Sequence, residues 1–140
     1  MAEKINFNNL NVLIVGDVMV DHYLFGEVNR ISPEAPVPVV EVLSRESRLG
    51  GAANVALNIS ELGGNPFLLT MIGKDAVGEQ LIDMLEAKKI NTDHVLQHKE
   101  RTTTRKTRIF DEDKQVVRFD EEDEEDLEKA QETSITNEIK

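Results

Sequence analysis

The residue types able to do chemistry gather in three places. Gly50-Gly51 precede Ala52-Ala53-Asn54 and an apolar series, Val55, Ile59 and Leu62, with helical spacing. Glycines let a ligand approach the backbone, and free amides at a helix start favour anionic or hydroxyl-rich groups. A tight strand-to-helix turn accounts for the pair equally well. Asp17 and Asp21 follow the apolar run Asn11 to Gly16, just past the carboxyl end of a strand, where open α/β sheets bind ligands. A carboxylate there accepts hydrogen bonds from sugar hydroxyls or holds a metal ion. The plainer reading is that Asp17 caps a turn and Asp21 is solvated. Lys106 and Arg108 alternate onto one face of a β-rich segment, with Arg118 on its partner strand. Such a row suits a phosphate clamp; it equally suits an exposed charged ribbon.

Other chemistries are excluded. Gly16 is followed by Asp17-Val18-Met19-Val20-Asp21, so no dinucleotide-binding G-x-G-x-x-G is present, and no G-x-x-x-x-G-K-[ST] loop occurs. Cysteine is absent, which removes disulfides, thiolate ligands and a thiol nucleophile. His22, His94 and His98 have no metal-ligand spacing with other donors and read as surface residues, so no metal site is predicted. No serine stands in a nucleophile-elbow context.

The elements that must position these residues are legible in outline. Asn11 to Gly16 and Phe67 to Ile72 read as buried strands. Val37 to Leu43 reads as an edge strand or crossing segment, since Pro33, Pro36 and Pro38 remove backbone donors. A helix opens at the glycine pair and stops at Gly63-Gly64. A second helix, capped by Asp75, carries Val77, Leu81 and Leu85 on one side. Strand, helix, strand, helix predicts an α/β domain with a parallel sheet. Thr103 to Phe110 and Gln115 to Phe119 then read as a hairpin joined by Asp111 to Lys114, and a helical pattern returns from Leu127.

Apolar residues are 39% of the 140 and charged residues 31%, which predicts one packed domain. No run reaches the roughly 18 apolar residues of a membrane span, and no secretory signal is read at Met1 to Asn6. These features predict a cytoplasmic protein with no membrane partner. Of the net charge of −11, residues 120–140 carry −8. Asp120 to Asp126 are seven consecutive acids, read as a solvated helix start rather than an acidic interaction tail. No basic stripe is present, so nucleic acid is not a predicted partner.

Gly50, Gly51, Ala52, Asn54, Ala56, Gly63 and Gly73 fix seven positions over 24 residues. Their spacing resembles the first signature of the PfkB/ribokinase family of carbohydrate kinases. A narrower resemblance is carried by Gly16 to Tyr23, Arg30 to Val40 and Gly50 to Ala56. Those segments are similar to family members that phosphorylate D-glycero-D-manno-heptose 7-phosphate at the anomeric hydroxyl, and the resemblance covers residues 8–126.

The resemblance implies a ribokinase-like fold: a Rossmann-like parallel sheet with flanking helices plus a small β-sheet lid, with residues 1–140 as the N-terminal part of one kinase domain. Residues 23–43 and 103–119 would form the lid, which implies a homodimer through that lid. Asp21, with Asp17 beside it, would bind sugar hydroxyls; Gly50, Gly51 and Asn54 would hold the sugar against the helix start. Lys106, Arg108 and Arg118 are the candidates for the phosphate of a sugar-phosphate substrate. ATP and Mg2+ are the implied cofactors. The family's catalytic aspartate belongs to a Gly-Ala-Gly-Asp signature absent from residues 1–140, so no catalytic residue is expected in this chain and the general base is expected beyond Lys140. Two other readings remain: a non-catalytic sugar-phosphate-binding or dimerisation module, and a family kinase for another sugar. The resemblance also implies that residues 1–140 alone leave one side of the parallel sheet uncovered.

Overall fold

The computed structural model describes residues 7–139 apart from Asn9. Met1 to Asn6, where the sequence reading expects no secretory signal, lie outside the described residues. Among the described residues, no helix is long and apolar enough to cross a membrane.

Two sheets divide the fold. The first is parallel, in the order β1 (Asn11–Val15), β4 (Asn65–Gly73), β5 (Val95–His98). The second has the order β3 (Pro38–Gly51), β2 (Val18–Ile31), β6 (Arg105–Asp111), β7 (Lys114–Glu121). In it β2 runs antiparallel to β3 and parallel to β6, and β6 and β7 form the hairpin. Helices α1 (Ala52–Glu61) and α2 (Ala76–Ala87) carry the buried Ala53, Ala56, Leu81 and Leu85 into one core with Ile14, Leu68 and Ile72. Helix α3 (Lys129–Glu138) follows β7.

The long strands β2 and β3 run from this core outward. Val18 and Val20 at the start of β2 are buried, whereas Ile31 at its end is exposed; Leu49 near the end of β3 is again core. The second sheet is therefore anchored at one end and projects as a lid. Residues 23–43 lie in β2, β3 and their connection, and 103–119 lead into and form most of the hairpin.

Several elements differ from the sequence reading. The strand read as Val37 to Leu43 is the 14-residue β3, and its partner β2 was not read as a strand. Asp21-His22 and Arg45 to Arg48 interrupt the apolar alternation, and a strand with polar residues on both faces has no period-2 signal to detect. The glycine pair ends β3, and the helix starts one residue later at Ala52. The four-residue β5 also went unread. The hairpin loop is two residues, Glu112 and Asp113, with Asp111 and Lys114 paired and Glu112 at positive φ. The acidic run does not start a helix: Asp120 and Glu121 end β7, and α3 begins at Lys129.

One face of the parallel sheet is only partly covered: α3 packs against β4, where Leu69 is buried, and the β1 side stays bare. Leu13 and Phe67 are register partners, and both are exposed, as are Leu10 and Val15. Parallel sheets are normally covered on both faces, so this chain alone is expected to self-associate. Sedimentation velocity should show concentration-dependent species, reduced by Val15→Lys; a monomer at every concentration would count against this.

Candidate functional site

Cross-strand pairing writes two rows of charged side chains onto one lid face. Arg48, Asp21, Lys106 and Asp120 are successive register partners across β3, β2, β6 and β7. Two residues along, hence on the same face, run Glu46, Tyr23, Arg108 and Arg118. Opposite charges alternate along the first row, as cross-strand pairs favour.

Most of these cations are already held by carboxylates. Arg108 Nη1 donates to Asp21 Oδ1 at 2.5 Å, with both side chains only about one-fifth exposed. Lys106 Nζ donates to Asp120 at 3.0 Å and to Glu122 at 2.9 Å. Arg118 Nε lies 3.1 Å from Asp120, and Arg105 donates to Glu121. The first acids of the 120–126 run are thus counter-ions of the hairpin. Hydrogen bonds to Glu122 and Asp120 raise the Lys106 ammonium above its ordinary value, and the bond to Asp21 raises Arg108. The Lys106 bond, then the neighbouring Arg118, hold Asp120 below the usual carboxylate range.

The glycine pair joins lid to core. Gly50 is the register partner of Met19, and a Cβ on it would stand 2.5 Å from Asp21 Oδ2 and 2.6 Å from Met19 Cγ. Gly51 has φ +58°, and a Cβ there would strike the Asp17 carbonyl. That same carbonyl accepts the Ala52 N–H at 2.8 Å. The first amide of α1 therefore serves the junction.

The structure brings Asp21 and Asn54 together and sets Asp17 apart. Asp21, Tyr23, Arg48 and Asn54 line a groove of about 560 Å3, together with Met84 and Lys88 at the α2 end. Asp17 and Lys106 line a second hollow of about 570 Å3, with Arg101 and the acidic segment Glu122 to Asp126. Arg118 lines neither. Arg48, Tyr23 and Lys88 were not singled out from sequence. A signal for Arg48 existed: strand alternation counted back two residues from Gly50 puts it on Asp21's face.

Behind the site, Asp75 ties α2 to the lid hairpin. Its carboxylate accepts the Gly78 N–H at 2.7 Å and the Thr103 N–H at 2.8 Å, while Thr103 Oγ1 accepts the Gly73 N–H at 2.9 Å. Burial pushes the Asp75 carboxyl up, but the Thr103 and Gly78 amides together outweigh it and hold it below its ordinary value. The stability it supplies is complete above the ordinary carboxylate range and is lost as pH falls through the lowered value. Asp75→Ala should cost about 1–3 kcal/mol, from a lost cap and a stranded amide. Asp75→Asn should flatten part of the acid limb in denaturant titrations; an unchanged limb would exclude the role.

Residues 9–139 match the model of the pfkB family of carbohydrate kinases. Over 111 residues, 79% of this chain and 24% of the relative, the sequence is 49% identical to the bifunctional protein HldE of Helicobacter pylori strain Shi470. It is 50% identical over 109 residues, 78% of this chain and 34% of the relative, to the D-beta-D-heptose 7-phosphate kinase of Bordetella bronchiseptica. The chain thus spans about a quarter to a third of the length of these relatives. A solved carbohydrate kinase from Agrobacterium tumefaciens superposes with a TM-score of 0.64 at 23% identity, over 80% of this chain and 35% of that one, which fixes the fold as ribokinase-like. The chain belongs to the pfkB family of carbohydrate kinases.

Proposed function

We propose that this chain is the sugar-binding part of an ATP-dependent kinase that phosphorylates D-glycero-D-manno-heptose 7-phosphate on its anomeric hydroxyl, a step towards ADP-heptose and the lipopolysaccharide core. The observation that carries the sugar-binding role is the Asp21 carboxylate, locked by Arg108 against Gly50 and sharing a groove with Asn54. Asp21 accepts hydrogen bonds from sugar hydroxyls, and the Asn54 amide both donates and accepts. The heptose assignment is supported by a relative at 50% identity that is named a D-beta-D-heptose 7-phosphate kinase.

When bound, ATP with magnesium supplies the transferred phosphoryl group and offsets its charge. Among the described residues, no group of three or more His, Asp or Glu is placed to hold a metal ion. No phosphate-cradling glycine loop occurs in the sequence either. On this reading the nucleotide site and the general base belong to a part of the kinase outside residues 1–140. On the same reading, residues 1–140 alone do not turn over ATP. The assignment implies a cytoplasmic enzyme, and the exposed Ile31, Leu43, Val117 and Phe119 of the lid sheet support a lid-mediated homodimer.

The test is a coupled ADP-release assay of the complete kinase with ATP and competing sugar phosphates. Preference for heptose 7-phosphate is expected. Preference for another sugar would move the assignment within the family, and sugar-phosphate binding without ADP release would favour a binding module.

A further inference from the structure

We infer that Arg48 and Lys88, rather than the hairpin cations, anchor the phosphate of the sugar-phosphate substrate; this rests on the sugar-binding reading above.

The argument begins from which cations an incoming anion can recruit. Lys106 holds two carboxylates, Arg118 and Arg105 one each, and Arg108 holds Asp21 itself. Taking Arg108 would release the carboxylate that binds the sugar. Lys106 and Arg118 also lie outside the groove that Asp21 shares with Asn54. Arg48 differs in its place. It is Asp21's cross-strand neighbour and lines the same groove. Its one carboxylate, Glu46, stands two residues away on the same edge strand, and the two side chains are 55% and 47% exposed. The pair is a two-bond fork, at 2.7 and 2.9 Å, but solvent screens it, and a phosphate dianion offers the guanidinium an equivalent fork of acceptors.

The guanidinium is also oriented beforehand. Its carbon lies 4.6 Å from the centre of the Tyr23 ring, which takes Arg108 at 5.5 Å as well. Across the groove, Lys88 ends α2 and makes no ion pair among the described residues. The carboxyl end of a helix disfavours an anion, and Lys88 is the charge that makes this wall acceptable to one. Hydroxyl acceptor and phosphate anchors thus lie side by side in one groove. A kinase with this site selects a sugar that already carries a phosphate on its distal carbon.

Titration calorimetry on the complete kinase, using heptose 7-phosphate and the unphosphorylated heptose as probes, separates the possibilities. Wild type should bind the phosphorylated sugar at least tenfold tighter. Arg48→Gln combined with Lys88→Gln should lose that preference while keeping affinity for the plain heptose. Both side chains are exposed, and Arg48→Lys should restore part of the preference, which guards against misfolding. An undiminished preference in the double variant, or its loss in Lys106→Gln or Arg118→Gln instead, would overturn the inference while leaving the sugar-binding reading standing. Binding of neither sugar by wild type would overturn both.

Discussion

Gly51→Ala is expected to destabilise the chain by about 2–6 kcal/mol, a left-handed residue costing roughly 1–3 and forced overpacking a similar amount. Gly51 sits at φ +58° with the Asp17 carbonyl where its Cβ would go. That atom is backbone, held in turn by the Ala52 N–H, so it cannot swing aside as a flexible side chain could. Relief requires β2 and β3 to separate at the point where the lid joins the core. Urea unfolding of the variant beside wild type measures the effect; a shift below about half a kcal/mol, the usual size for an ordinary surface change, would show the junction to be unstrained. Gly50→Ala should act differently. Its obstruction is the Asp21 carboxylate and the Met19 side chain, so its larger signature is lost sugar affinity as Asp21 is pushed from place.

The second large effect is expected at Asp21. Asp21→Ala removes the acceptor proposed for the sugar hydroxyls and leaves the Arg108 guanidinium, about one-fifth exposed, without its carboxylate. Hydrogen bonds to a charged group contribute about 1.5–3 kcal/mol, so sugar affinity should fall by about tenfold to more than a hundredfold. Nucleotide affinity of the complete kinase should not change. Asp21→Asn keeps the shape against Gly50 while removing the charge that holds Arg108, and separates packing from electrostatics. Calorimetry with the sugar phosphate reads both variants, and wild-type affinity in Asp21→Ala would end the assignment.

These two expectations draw on different levels of information. The glycine pair, its spacing to Asn54, Gly63 and Gly73, and the family they resemble are local or evenly spaced features, so the linear sequence carries them. The Asp75 cap and the apolar faces of α1 and α2 are equally local, because helical contacts join residues three and four apart. The strands β1 and β4 were legible because parallel strands read as continuous apolar runs, although Leu13 and Val15 of β1 are exposed here and not buried. The lid was legible only in part. Its hairpin closes through a two-residue loop, whereas β2 and β3 hide their alternation behind charged residues on both faces.

The charge pattern was decided by tertiary structure. In sequence, Lys106, Arg108 and Arg118 are available cations and Asp120 to Asp126 a solvated acidic run. Sheet register sets Asp21 beside Arg108 across 87 positions and Lys106 beside Asp120, so the hairpin cations each meet a carboxylate. Arg48 is a neighbour of Asp21 for the same reason, and Lys88 joins it because α2 packs alongside. The order of strands and helices determined the fold class, and the resemblance carried by the glycine motifs pointed to the family. Which charges are satisfied and which can meet a ligand depends on pairings between strands distant in sequence, and only the folded sheet makes them.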